Sequence, residues 1–141
     1  MKFFFDRCMS ITLCRMVAVQ SQGRFGVVHH DEDGRFNQFT TDVEWISALA
    51  ADAEKPIAIS GDTRILRKPD EVAALQASGL MFVCLAPQWA QLSIDDMTWK
   101  FFKLWPDIMK AVQVKEPTVF QMRCGSAMKI EEVCKTRNVG K

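Results

Sequence analysis

The sequence predicts an α/β domain in which a central, mostly parallel sheet is flanked by helices. Short apolar runs alternate with segments of helical periodicity, and turn or capping residues separate them, as in chains built from βαβ units. The chain has 141 residues, of which 48% are hydrophobic and 25% are charged. These values favour one ordinary domain with a packed core over a disordered chain.

The first half of the chain predicts three strands, with a helix between the first two. Apolar runs predict strands at residues 2–5, 26–29 and 56–59. Apolar residues at helical spacing predict a helix from Met9 to about Gln20. The polar segment after the second strand is expected to be a loop.

Two further helices are marked by their ends. Thr41 and Glu44 form a Thr-x-x-Glu capping box, in which each side chain serves one free backbone amide at the start of a helix. A third helix is predicted from Pro69 to Ser78. Proline suits the first helical position, and Gly79 suits the C-terminal cap.

The second half of the chain completes the alternating pattern. The remaining elements are a strand at residues 80–85, an amphipathic helix over about residues 93–112 and a strand at residues 118–122. Pro106 is expected to kink or break the long helix. Residues 1–124 are therefore predicted to form the domain, and residues 125–141 a tail that is weakly ordered or a short helix.

Charge, cysteine content and the apolar runs argue against several classes of protein. The formal net charge is +1, so nucleic-acid binding would depend on a local basic patch and not on a global field. The five cysteines form no C-x-x-C pair, which argues against a disulfide framework or a zinc site. Charged residues interrupt the apolar N-terminus too early for a signal peptide, and no apolar run is long enough to span a membrane. We therefore expect a soluble, cytoplasmic protein.

Acidic residues are predicted to gather at one edge of the sheet. Asp6 ends the first strand, Asp62 follows the third through a glycine turn, and Asp42 lies in the first turn of the helix after the second strand. Right-handed crossovers bring all three to the carboxyl edge, where open α/β sheets bind ligands. Carboxylates held close together repel, and hard oxygen ligands suit Mg²⁺ or Mn²⁺. Such an ion lowers the pKa of a bound water and neutralises charge on a phosphodiester.

Each acid also has a simpler explanation. The helix macrodipole alone favours Asp42 and Glu44 at a helix N-terminus, and Asp62 after a glycine is an ordinary turn residue. Asp6 is harder to explain in this way. It directly follows three phenylalanines, and partial burial of a charge is costly unless something compensates.

A basic loop and two histidines also have two interpretations. Arg64, Arg67 and Lys68 follow Asp62 closely, so they could hold a phosphate backbone or could form a solvated loop. The pair His29-His30 could supply metal ligands or general bases. Strand alternation would turn one inward and one outward, which favours structural roles.

The long helix carries more aromatic surface than one sheet contact should bury. Phe101 and Trp105 share one stripe, and Phe102 and Met109 share another. One stripe is expected to pack on the sheet, and the other to remain exposed for a homodimer or a contact with another protein. The alternative is that the C-terminal tail folds back and covers it.

Several motifs together resemble a known family. They are Lys2-Phe3-Phe4-Phe5-Asp6-Arg7-Cys8-Met9-Ser10, Thr41-Asp42-Val43-Glu44-Trp45-Ile46, Ile59-Ser60-Gly61-Asp62-Thr63-Arg64-Ile65-Leu66, Gly79-Leu80-Met81-Phe82-Val83 and Trp89. In order and spacing, residues 1 to about 112 resemble the PIN-like domain family of VapC-type toxins from bacterial toxin–antitoxin pairs. The resemblance implies a three-layer PIN-like fold, metal-dependent RNase activity with Mg²⁺ or Mn²⁺, and an antitoxin partner. It also implies that Asp6, Asp42 and Asp62 form the catalytic and metal-binding site, with Glu44 as a possible fourth acid.

The chain departs from the family pattern at three places. Arg7 stands where members often have asparagine or a small polar residue, and Ile11 stands where they have proline. The segment after the fourth strand, residues 85–89, lacks the acid that PIN nucleases generally carry there. These departures favour an alternative to the ribonuclease, namely a catalytically decayed PIN-like domain that only binds a protein. A receiver-like phosphoacceptor is a third hypothesis, but Arg7 replaces one member of the acidic pair it normally needs.

Overall fold

One mixed sheet forms the centre of the computed structural model, which describes residues 1–125 and 127–136. Within these residues its strands are β1 (Lys2–Phe5), β2 (Gly26–His29), β3 (Ile57–Ser60), β4 (Phe82–Leu85), β5 (Thr118–Cys124) and β6 (Met128–Lys135). The strand order is β2-β1-β3-β4-β5-β6, with β1 to β5 parallel and β6 antiparallel to β5. The predicted α/β class with a mostly parallel sheet is confirmed.

Four helices connect the strands. They are α1 (Ile11–Ser21), α2 (Asp42–Ala50), α3 (Pro69–Ser78) and α4 (Ile94–Ala111). The predicted capping box of α2 is present, because Thr41 accepts from the Glu44 amide and Glu44 accepts from the Thr41 amide. Gly79 ends α3 with a φ of 71°, a left-handed conformation that glycine adopts without a steric penalty. Pro69 occupies the start of α3, as predicted.

The helices cover both faces of the sheet and make three layers. Side chains of successive strand residues point to opposite faces. Phe3 and Phe5 therefore pack in the core that α1 and α4 close, whereas Phe4 packs in the core that α2 and α3 close. All three rings are fully buried. The Phe4 ring stacks on that of Trp45 from α2, with centroids 5.3 Å apart. This burial fixes β1 at the centre of the sheet and fixes the position of the residue that follows it.

The long helix differs from the sequence prediction at Pro106. Helix α4 continues through this residue without a break. Proline removes only the hydrogen bond that its amide would donate to the Phe102 carbonyl. The buried side chains of Leu104 and Ile108, which flank it, anchor the helix to the sheet.

The two predicted aromatic stripes of α4 differ in burial. Phe101 and Trp105 are buried under the sheet, so this stripe forms core and not a partner surface. Phe102 and Met109 are partly buried and pack against the same core, together with Met128 and Ile130 of β6. The C-terminal segment therefore folds back beside α4 as β6 and supports the covering alternative for this stripe, while a homodimer or antitoxin contact stays a prediction.

The expected tail beyond residue 124 is wrong for residues 128–135, which form β6 and pair with the whole length of β5. The sequence does not show this strand because none of its side chains is fully buried: Met128 and Ile130 are only partly buried against the core, and Val133 is 47% exposed. Residues 137–141 of the predicted tail lie outside the described residues. No helix in the described ranges is long and apolar enough to cross a membrane.

Candidate active site

A cleft of about 440 Å³ opens at the carboxyl ends of β1, β2 and β3. Its lining residues are Asp6, Arg7, Cys8, His30, Thr40, Thr41, Asp42, Trp45, Asp62, Arg64 and Glu71. The three acids that the sequence predicted to converge, Asp6, Asp42 and Asp62, all line this cleft. Glu44 does not, because its carboxylate is used in the capping box of α2.

Asp6 forms the floor of the cleft. It is 3% exposed, and its Oδ2 accepts a hydrogen bond of 2.7 Å from the Ser60 hydroxyl at the end of β3. The Arg7 amide donates to Oδ1 at 2.6 Å, and the Cys8 thiol lies 3.3 Å from Oδ2. These donors compensate for the burial of a carboxylate, which would otherwise be costly. They also hold the carboxylate in one orientation.

Cys8 is a poor nucleophile in this setting. Burial of the thiol, the negative charge of Asp6 and the hydrogen bond to it raise its pKa to about 12, against the opposing hydrogen bonds from Ser60 and Gly61. The thiol is therefore protonated at neutral pH, when it acts as a hydrogen-bond donor toward Asp6. All five cysteines of the chain are free thiols.

Asp42 is held between its own helix and the other acids. The indole Nε1 of Trp45, one turn along α2, donates to Oδ1 at 2.8 Å. Burial raises the pKa of Asp42 to about 6, and the charge of Asp6 and the interaction with Asp62 act in the same direction, while the Trp45 hydrogen bond opposes them. Interaction between the carboxyl groups of Asp42 and Asp62 raises the pKa of Asp42 and lowers that of Asp62, so one proton is retained on Asp42 more readily than on a separate acid.

Asp62 is paired with an arginine. Its Oδ1 accepts from the Arg64 amide and Nε, and its Oδ2 accepts from Nη2, each at 3.0 Å. Burial acts to raise the pKa of Asp62, but the Arg64 hydrogen bonds and the hydrogen bond with Asp42 outweigh it and hold the pKa below its usual range. Arg64 thus supplies a positive charge to a cluster that is otherwise acidic.

Glu71 is a cleft residue that the sequence reasoning missed. It lies in the first turn of α3, and its Oε2 is buried without a hydrogen-bond partner in the described part of the chain. A buried acceptor of this kind is costly unless a ligand or ion completes it. Asp42 was predicted from its place in the first turn of a helix that begins at the carboxyl edge of the sheet. Glu71 has the same place in α3, which starts at the same edge as α2, so this signal would also have predicted it.

The basic loop contributes one side chain to the cleft. Of the three predicted RNA-binding residues, only Arg64 lines it, whereas Arg67 and Lys68 are exposed beyond its lining. Arg7, which follows Asp6, also lines the cleft and donates from Nη1 to the Gln38 carbonyl at 2.6 Å. Two guanidinium groups therefore border the acidic floor.

Both histidines are buried, which corrects the expectation that one would face outward. Helices cover both faces of the sheet, so alternation does not expose either ring. His29 has a structural role: its Nε2 lies 2.8 Å from the Met9 carbonyl, and its Nδ1 accepts from the Asp31 amide. His30 lines the cleft and stacks on Phe36, with centroids 5.3 Å apart.

The chemistry of the donor set fits a hard divalent cation. Asp6, Asp42, Asp62 and Glu71 offer carboxylate oxygens, the ligands that Mg²⁺ and Mn²⁺ prefer. The unpartnered Glu71 Oε2 and the raised pKa of Asp42 are both features that a cation would relieve. In the arrangement described, however, no three acidic, histidine or cysteine side chains of residues 1–125 and 127–136 are placed to hold one ion.

A family comparison gives the class of this α/β domain. The model of the PIN-like domain family matches residues 1–87 of the 141-residue chain. The chain belongs to this family, whose members are commonly nucleases, and its coarse class is a hydrolase. No curated protein matches the chain. No solved structure matches it either.

Proposed function

We propose that this PIN-like domain is an endoribonuclease that depends on Mg²⁺ or Mn²⁺ and hydrolyses RNA phosphodiester bonds. One observation carries the proposal: carboxyl groups from four separate segments meet in one cleft. Asp6 follows β1, Asp42 begins α2, Asp62 follows β3 and Glu71 begins α3. A fold gains no stability by bringing like charges together, so their convergence supports a role in binding a cation and a phosphate.

The residues of the cleft have separable roles in this proposal. Asp6 is fixed by Ser60 and would provide a rigid ligand, while Asp42, Asp62 and Glu71 would complete the set. When bound, the metal supplies an activated water and neutralises charge on the phosphodiester. Arg64 would exchange its bond to Asp62 for a contact with the substrate phosphate, because a guanidinium binds either anion in the same two-pronged geometry.

The RNA substrate and the toxin role are proposed because the chain resembles VapC-type toxins. The domain would act in the cytoplasm as the toxin of a toxin–antitoxin pair. Its proposed protein partners are an antitoxin and a second copy of the chain. Buried apolar surface on α4 does not serve these contacts, since Phe101 and Trp105 lie in the core. The aromatic residue that α4 leaves exposed in the described structure is Trp99, which is 50% exposed.

The test combines cleavage, metal binding and growth. Purified protein is incubated with labelled RNA and Mn²⁺, and Mn²⁺ affinity is measured by titration calorimetry. Wild type should cleave and bind, Asp6→Asn should do neither, and Asp70→Asn, an exposed acid outside the cleft, should behave as wild type. Induced expression should arrest bacterial growth, and Asp6→Ala should relieve the arrest. Equal Mn²⁺ binding by wild type and Asp6→Asn, or arrest that persists in a folded Asp6→Ala protein, would contradict the proposal.

A second candidate is a decayed PIN-like domain that binds a protein partner without catalysis. The observation in its favour is the ion pair between Arg64 and Asp62, which occupies both oxygens of one proposed ligand. The segment after β4 adds to it, because Trp89 is buried there and no acid is present. Absence of both Mn²⁺ binding and RNA cleavage in wild type, with retained binding of the product of a neighbouring gene, would favour this candidate.

A further inference from the structure

An exposed phenylalanine directly precedes two residues that line the cleft. Phe39 is 79% exposed, although its large apolar ring would gain stability by burial. The next two residues, Thr40 and Thr41, line the cleft. Phe39 therefore presents its ring to solvent and is joined in the chain to residues that line the cleft.

The turn that carries Phe39 is held in place. The Asn37 amide donates to the Thr40 hydroxyl at 2.9 Å, and the Phe39 amide donates to Asn37 Oδ1 at 2.7 Å. The Thr40 amide also donates to the Asn37 carbonyl at 3.1 Å. Local hydrogen bonds thus fix the backbone on both sides of the exposed ring, so its exposure is built into the turn.

Arg7 ties this turn to the cleft. Its Nη1 donates to the Gln38 carbonyl, which directly precedes Phe39. A guanidinium carries five N–H donors, so Arg7 retains donors for a further anion. The departure from the family pattern at this position therefore has a local use: the side chain joins the end of β1 to the loop that presents the aromatic ring.

We propose that Phe39 is a base-stacking residue of this site: one unpaired base of a bound RNA stacks on its ring, with the adjoining phosphates beside Arg7 and Arg64. A rigid exposed aromatic next to guanidinium groups is the combination by which proteins bind unpaired nucleotides. A duplex offers no free base face, since its bases already stack on one another. The choice of RNA rests on the proposed nuclease function, whereas the stacking of an unpaired base rests on Phe39 itself.

The experiment measures binding without cleavage. Anisotropy of a fluorescein-labelled oligouridylate, and of its duplex with oligoadenylate, is titrated with full-length protein in EDTA. Phe39→Ala should weaken single-strand affinity roughly 5- to 100-fold, and Phe39→Trp should bind at least as tightly as wild type. The control is Val19→Ala, because Val19 is equally exposed at 78% but lies on α1, outside the cleft. It should bind as wild type.

The outcomes separate this inference from the proposed function. Unchanged single-strand affinity in Phe39→Ala, or equal affinity of wild type for the duplex, overturns the inference even if wild type cleaves RNA with Mn²⁺. Loss of self-association in Phe39→Ala with unchanged RNA affinity also overturns it, because Phe39 would then be a protein contact. A Phe39-dependent affinity in a wild type that never cleaves supports the inference while the nuclease function fails.

Discussion

The Asp42→Asn variant distinguishes two explanations of Asp42. In one, Asp42 is part of a cluster of repelling carboxyl groups; in the other, it is an ordinary acid at the start of a helix. Burial, and then the charges of Asp6 and Asp62, raise the pKa of Asp42 from its usual 3.8 to about 6. Because this pKa lies above the unfolded value, the folded chain binds more protons between these two pH values, and stability falls as pH rises through the window. Asp62, whose pKa is lowered, contributes stability that is lost only at lower pH. At neutral pH the ionised Asp42 therefore destabilises the fold.

The size of the effect follows from the same values. The difference between 3.8 and about 6 sets an upper limit of about 3 kcal/mol at neutral pH. Solvent screening of the half-buried carboxyl reduces this to about 1 kcal/mol. The helix macrodipole alone predicts the opposite sign, a loss of about 0.3–1 kcal/mol when the negative charge is removed. Asparagine retains an Oδ1 acceptor for the Trp45 indole. Loss of this hydrogen bond therefore does not contribute to the difference in unfolding free energy between wild type and Asp42→Asn.

The assay is urea denaturation of wild type and Asp42→Asn at about pH 7.5 and about pH 4. The variant should have the higher free energy of unfolding at the higher pH, and the difference should vanish at the lower pH. Glu44→Gln is the matched control, because Glu44 lies in the same helical turn but outside the cleft. It should lose a little stability. A loss in Asp42→Asn at the higher pH, or a gain of equal size at both, would refute the reasoning.

Three further predictions concern the ligands and the basic loop. Glu71→Gln should weaken Mn²⁺ binding by roughly 10-fold or more. Asp70→Asn, which changes the exposed residue next to Glu71, should bind Mn²⁺ as wild type does. Equal Mn²⁺ affinities of the two variants in titration calorimetry would exclude Glu71 from the site. Arg64→Gln should tighten Mn²⁺ binding, since both oxygens of Asp62 lose a competing cation, and a weaker affinity would show that Arg64 does not compete. Lys68→Ala should reduce the slope of log affinity for RNA against log salt by about one, and an unchanged slope would show that this loop is only solvated.

Features that depend on local signals were predictable from the sequence. The capping box at Thr41 and Glu44 satisfies amides within one turn of helix, so it needs no distant partner. The common edge of Asp6, Asp42 and Asp62 was predictable for a related reason. Right-handed crossovers between parallel strands leave one arrangement for residues at strand ends and at the starts of the following helices.

Features that depend on a distant partner were not predictable. β6 has only a half-apolar pattern, and it becomes a strand because β5 supplies its hydrogen bonds and because Met128 and Ile130 pack against the core that α4 closes. The sequence could not say which aromatic stripe of α4 faces the sheet, since periodicity defines stripes but not the surface that each one meets.

The electrostatic state of the cleft was decided by tertiary structure alone. The sequence placed Arg64 near Asp62 but could not show that the guanidinium binds both carboxylate oxygens, or that Glu71 Oε2 is buried without a partner in the described residues. Chain topology brings the acids to one edge of the sheet, and this topology can be derived from the order of strands and helices in the sequence. Hydrogen bonding and desolvation depend on ångström-scale distances between side chains, which only the packed fold determines.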